Sequence, residues 1–131
     1  MYSEKILDHF MNPRNLGEME DPDGVGTWGD PECGDYIKVF IRVKDEQITD
    51  ISFQISGCPA AVACGSAVTE LARGKTLDEA AEISDNDIAQ YLGGLPDNKM
   101  HCSNLGAGAL QRAILDYIIR SLEGDRNIII V

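Results

Sequence analysis

Apolar and polar residues alternate most cleanly between Tyr36 and Ser56. Ile37, Val39, Ile41 and Val43 interleave with Tyr36, Lys38, Phe40 and Arg42, and Ile51, Phe53 and Ile55 interleave with Asp50, Ser52, Gln54 and Ser56. A period of two marks strands with one buried face, and Lys44-Asp45-Glu46-Gln47 between the runs supplies the turn of an antiparallel hairpin. Upstream, Arg14 to Glu32 is rich in Gly, Asp and Pro and reads as loop, with Gly24-Val25-Gly26-Thr27-Trp28 as a short strand inside it.

Elsewhere the period is helical. Ser3 caps a short peripheral helix in which Ile6, Leu7, Phe10 and Met11 share a helical spacing, and Asn12-Pro13 stops it. Pro59 opens a run of small apolar residues from Ala60 to Arg73, with Gly74 as its stop. Thr76-Leu77-Asp78-Glu79 has capping-box form, and Ser84 heads a second short acidic helix to Leu92, before Gly93-Gly94. The last helix is expected from about Ser103 to Leu122, with Leu105, Leu110, Ala113, Ile114, Tyr117, Ile118 and Leu122 on one broad face and Gly124 as terminator. The tail from Asn127 to Val131 is expected to dock on the domain or under a partner.

Length and charge narrow the function classes. The 131 residues are read as one domain, 1–131, large enough to bury a core without disulfides or a structural metal. No apolar run approaches the roughly 20 residues of a membrane span, and Met1 to Phe10 has no apolar secretory core, so a cytoplasmic location is expected. Against 22 acidic residues stand 11 basic ones, and the net charge of -11 opposes nucleic acid and anionic lipid while suiting cations or a basic protein partner. Cys33, Cys58, Cys64 and Cys102 then read as thiols for metal or sulfur chemistry.

Spacing along the sequence pairs no two cysteines, because no Cys-x-x-Cys is present. The hairpin does: its turn falls midway between Cys33 and Cys58 and returns both to one end of the sheet. Asp35 lies two residues beyond Cys33, on the same face if the strand has begun. Cys58 precedes Pro59 and Cys102 precedes the last helix, so both thiols sit at helix N-termini, where unpaired N–H groups favour thiolate. Three thiolates with His101 or Asp35 make a four-ligand set for a tetrahedral ion or a small iron-sulfur cluster. Lys99, in the dense stretch Lys99-Met100-His101-Cys102-Ser103, reads either as a solvated lysine or as a neutraliser of charge on a cluster or persulfide. Cys64, among Ala61, Val62, Ala63 and Ala67, reads as core. His9, beside Asp8, reads as a partner-facing or capping residue.

Tyr2-Ser3-Glu4-Lys5, Asp8-His9-Phe10, Asn12-Pro13-Arg14-Asn15, Cys33-Gly34-Asp35, Gly57-Cys58, Thr69-Glu70, Gly74-Lys75-Thr76 and Leu95-Pro96 through Lys99-Met100-His101-Cys102-Ser103 resemble, in order and nearly end to end, the IscU and NifU N-terminal scaffold proteins of iron-sulfur cluster assembly. The resemblance implies an α+β fold, a three-stranded antiparallel sheet with helices packed on it. It implies a transient [2Fe-2S] cluster held by Cys33, Cys58 and Cys102 with His101 or Asp35. A cysteine desulfurase would supply sulfur, with Cys102 as persulfide acceptor and Asp35 favouring cluster release to recipient apo-proteins. Ferrous iron is the expected metal, and Zn2+ can fill the same ligands in the protein as purified. A homodimer is left open.

Several positions depart from the family pattern. Pro59-Ala60 follows the second cysteine, and Cys64 replaces a small non-cysteine residue; neither removes a ligand. Leu95-Pro96-Asp97-Asn98-Lys99 lacks the second proline and the valine of the Leu-Pro-Pro-Val-Lys motif that an Hsp70-type chaperone grips in IscU proteins, which argues against that partner. Resemblance to the NifU type is closer there, without counterparts of the ferredoxin-like and C-terminal domains of full NifU proteins. The rival readings are a zinc-bound sulfurtransferase of the SufU type, disfavoured by the short interval from Cys58 to Cys102, and an interaction module with a structural metal or none.

Overall fold

The hairpin forms where the alternation places it, and it is the floor on which the rest is built. The computed structural model describes residues 2–29, 36–99 and 101–130. Strand β1 (Gly24–Gly29) pairs antiparallel with β2 (Tyr36–Lys44), which pairs antiparallel with β3 (Gln47–Ser56), in the order β1-β2-β3. Asp45 and Glu46 make the turn with φ of 54° and 66°, the left-handed pair that a two-residue hairpin loop requires. A bulge between Arg42 and Val43 shifts the register by one, so Tyr36 faces Ser56.

Ile37, Val39, Ile41, Ile51 and Phe53 are buried as the alternation predicts. Phe40 is buried as well, against expectation; on the opposite face it pairs with Val25 of β1, and the Lys38 ammonium lies 5.3 Å from its ring centre.

Five α-helices accompany the sheet among the described residues: α1 (Glu4–Met11), α2 (Pro59–Ala72), α3 (Leu77–Ala81), α4 (Asp85–Tyr91) and α5 (His101–Ile130). Ser3 accepts from the N–H of Ile6 to cap α1, and Thr76 and Ser84 each close a capping box. Helix α2 consists almost entirely of small residues, so it can lie close over β3: a Cβ at Gly65 would stand 2.6 Å from the Phe53 ring. Helix α5 lies equally close on β1, because Gly24 and Gly26 leave room for its backbone at Ala113 and Ala109.

Helix α5 begins two residues earlier than its pattern suggests and continues through Gly124 to Ile130. A helical glycine costs only about 1 kcal/mol relative to alanine, and no proline follows to force a stop. Its apolar face also divides. Leu110, Ala113 and Ile114 are buried on the sheet, whereas Ile118 and Leu122 are exposed together with Leu115 and Ile119.

Candidate thiol and metal centre

Cys58 ends the turn after β3 and is the N-cap of α2, with extended backbone angles of φ -75° and ψ 169°. Pro59 at the first helical position has the φ that a helix start needs and no N–H to satisfy. Cys102 is the second residue of α5, so it lies inside the first helical turn rather than before it. Packing of α2 on α5 brings the two helix starts together. Gly106, one turn after Cys102, stands so near α2 that a Cβ there would be 3.4 Å from the carbonyl oxygen of Cys64 and 3.5 Å from Val68. In this arrangement Cys58 Sγ and Cys102 Sγ are 3.8 Å apart.

The two thiols differ in exposure. Cys102 is only 1% exposed, while Cys58 is half-buried. Burial pushes the Cys58 thiol up. The first-turn N–H of Ala61, the Cys102 thiol, the N–H of Ala60 and the Lys99 ammonium together outweigh it and hold Cys58 below the ordinary thiol value. The N–H contribution is an attraction to the helix start, since Sγ closes no regular capping hydrogen bond. Lys99 ends a 3-10 turn, Asp97–Lys99, that leads into α5, and it is half-buried.

Cys64 is fully buried in the core; burial, then the neighbouring Cys102 and Cys58 sulfurs, push its thiol far up, which leaves it an apolar packing residue as the sequence suggested. Cys33 and Asp35 lie outside the described residues, as does the His101 side chain, although the His101 backbone begins α5. Among the described residues no three potential metal-binding side chains come together, and Cys58 with Cys102 is the pair of thiols that meets.

His9 corrects its reading from sequence. It is buried rather than partner-facing: Nδ1 is 2.7 Å from Ser66 Oγ of α2, and its ring meets Tyr91 edge-on at 5.7 Å. Around it, Arg14 Nε is 3.3 Å from Glu70, Asn15 donates to Thr69 Oγ1, and the Arg14 N–H donates to Ser66 Oγ. This network fastens the Asn12-Pro13-Arg14-Asn15 turn to α2. No local pattern announces it, because its partners are about 50 or more positions apart in sequence.

The family model described as the NifU-like N-terminal domain matches residues 1–123. The chain belongs to this family. Among curated NifU-like relatives, the iron-sulfur cluster assembly scaffold protein IscU 1 of Archaeoglobus fulgidus is 56% identical over 126 residues, covering 96% of this chain and 82% of that one. The scaffold protein IscU of Escherichia coli K12 is 48% identical over 120 residues, covering 88% and 93%. The nitrogen fixation protein NifU of Azotobacter chroococcum is 44% identical over 128 residues, and the match takes up 41% of that longer protein. A crystal structure of a NifU-like N-terminal protein from Brucella abortus superposes with a TM-score of 0.73 at 20% identity, covering 88% of this chain and 92% of that one, which shows the shared NifU-like fold. The family resemblance and the α+β fold with a three-stranded antiparallel sheet both hold.

Proposed function

We propose that this chain is a scaffold on which an iron-sulfur cluster is assembled and from which it is handed on. The observation that carries the reading is the 3.8 Å between Cys58 Sγ and Cys102 Sγ. Two thiolates bound to one tetrahedral ion by bonds of about 2.3 Å stand about 3.8 Å apart. The pair is therefore set to hold metal before metal arrives. The names of the IscU relatives support the same reading.

Cys33, with Cys58 and Cys102, completes the thiolate set, and His101 or Asp35 is the fourth ligand of a transient [2Fe-2S] cluster, which is cargo rather than a resident cofactor. A weak fourth ligand, Asp35 above all, favours release to recipient apo-proteins. Sulfur comes from a cysteine desulfurase to Cys102, and the positive charge of Lys99 offsets the negative charge of thiolates and persulfide. An Hsp70-type chaperone is not among the proposed partners. The scaffold occupies one domain, 1–131, and works in the cytoplasm; no helix among the described residues is long and apolar enough to cross a membrane.

Anaerobic reconstitution with ferrous iron and desulfurase-derived sulfur tests the scaffold. Visible charge-transfer bands with equal iron and labile sulfide are expected, lost in Cys58→Ser and Cys102→Ser and kept in Cys64→Ser. The same sulfur spacing suits zinc, so the alternative is a zinc-bound sulfurtransferase of the SufU type. Stoichiometric zinc that resists exchange for iron, with sulfurtransferase turnover and no labile sulfide, would decide for it.

A further inference from the structure

A persulfide delivers sulfur at the wrong oxidation level for a cluster, because the bridging atoms of a [2Fe-2S] unit are sulfide. We propose that Cys58 and Cys102 act together as a dithiol that reduces the delivered sulfane sulfur to sulfide inside the site. This deepens the scaffold reading and rests on its premise that sulfur arrives as persulfide.

The geometry is that of neighbours poised to bond. The sulfurs are 3.8 Å apart, in van der Waals contact, and a disulfide needs about 2.05 Å. Each stands at a helix start, Cys58 as the N-cap of α2 and Cys102 as the second residue of α5, and close α2–α5 packing at Gly106 keeps those starts together. The outer thiol, Cys58, is half-buried, whereas the inner one, Cys102, is 1% exposed. A sulfane sulfur held on Cys102 thus has the Cys58 sulfur beside it and little water around it. Cys64, on the helix that Cys58 caps, is enclosed in the core and takes no part.

The step balances without an external electron donor. With Cys102 carrying the persulfide, the Cys58 thiolate attacks Cys102 Sγ, the bond from Cys102 Sγ to the outer sulfur breaks, and HS− leaves with the electron pair. The products are one Cys58–Cys102 disulfide and one hydrosulfide. Counted from two thiols and one sulfane sulfur, two electrons have moved from the thiol pair to sulfur. Loading on Cys58 and attack by Cys102 give the same products. A dithiol reductant of the thioredoxin class must then return the disulfide to two thiols before both can bind iron, by thiol–disulfide exchange.

The test uses the full chain, stripped of metal and loaded anaerobically with glutathione persulfide, then freed of excess reagent. Wild type is expected to release hydrosulfide, trapped by monobromobimane, in equal amount to a disulfide that peptide mapping assigns to Cys58 and Cys102. Cys58→Ser is expected to keep a stable persulfide on Cys102, and Cys64→Ser to behave as wild type. A wild-type persulfide that persists without hydrosulfide release overturns the proposal, as does a disulfide that maps to Cys33; neither result depends on a variant that must fold. Reconstitution with ferric iron and inorganic sulfide separates the two claims. A cluster formed from sulfide while persulfide is never reduced leaves the scaffold standing and removes the dithiol, whereas no cluster from sulfide removes the scaffold.

Discussion

His9 Nδ1 lies 2.7 Å from Ser66 Oγ, and the same hydroxyl accepts the backbone N–H of Arg14 at 2.9 Å. With the imidazole neutral and its Nε2 proton toward the Glu70 carboxylate, 3.7 Å away, the Ser66 hydroxyl donates to Nδ1. A second proton on His9 turns Nδ1 into a donor facing that hydroxyl and forces the serine to accept twice. Burial is the main reason that His9 is held below its ordinary value of 6.5. The Arg14 and Lys5 charges push the same way, against Glu70 and Asp8.

The folded-state value is therefore the lower one, and between it and 6.5 the unfolded chain binds more protons. The stability that neutral His9 contributes is complete above 6.5 and is lost as pH falls through that window toward the folded value. Urea midpoints measured from pH 7.5 to 5 should fall more steeply in the wild type than in His9→Gln. Parallel profiles would remove His9 as the titrating group.

The sheet, the caps of α1, α3 and α4 and the Pro59 helix start were legible because each is written in adjacent residues: alternation, Ser or Thr before Glu or Asp, proline after a turn. The meeting of Cys58 and Cys102 was legible only as two helix starts. Their 3.8 Å approach depends on small residues in two helices that no local pattern joins, Gly106 against α2 above all. The burial of His9 is hidden from the sequence for the same reason. An imidazole beside Asp8 on a short helix looks like a surface residue until Ser66 and Tyr91 arrive from elsewhere. The far half of α5 misled in the other direction, because its apolar face continues past the end of the sheet that would bury it.

Gly26 and Gly108 both lie where β1 meets α5, and their substitutions should differ sharply. A Cβ at Gly26 would run into the backbone at Ala109, Arg112 and Ala113, which can yield only if the helix lifts from the strand. Gly26→Ala should cost about 2 kcal/mol or more in chemical denaturation. At Gly108 the obstacle is the Trp28 ring at 2.6 Å, a side chain 37% exposed and stacked under Arg112 with 4.6 Å from guanidinium carbon to ring centre. That ring can swing outward, and alanine regains about 1 kcal/mol of helix propensity. Gly108→Ala should stay within about 1 kcal/mol of wild type and shift the emission of the chain's single tryptophan to the red. Equal costs for the two changes would contradict the geometry.

Asp116 fastens the start of β1 to α5. Its Oδ2 accepts the N–H of Val25 at 2.8 Å and pairs with Arg120 at 3.0 Å. Asparagine keeps an acceptor for Val25 and loses only a partly exposed ion pair, so Asp116→Asn should cost no more than about 0.5 kcal/mol. Asp116→Ala also leaves the strand N–H without its partner and should cost about 1–2 kcal/mol. Thermal midpoints for the two variants, read at low and high salt, check the division: the asparagine loss should shrink with salt and the additional alanine loss should not.

The three described cysteines should separate by reactivity. Cys58 is half-buried and held below the ordinary thiol value, Cys102 is almost fully enclosed, and Cys64 is buried and pushed up. Metal-free protein treated with iodoacetamide at pH 7 should carry label on Cys58 first among these three. Cys64 should react only as the protein unfolds. Because thiolate is the attacking form, the Cys58 rate should rise with pH through a midpoint below that of a free thiol. Burial alone would place that midpoint above a free thiol, so its position reports whether the helix start and Lys99 outweigh enclosure. Lys99→Met should move it upward by removing the smallest of these attractions, while the N–H groups of Ala61 and Ala60 remain. A midpoint above the free thiol in the wild type, or Cys64 labelled as fast as Cys58, would show that α2 does not present its N-terminus to this sulfur.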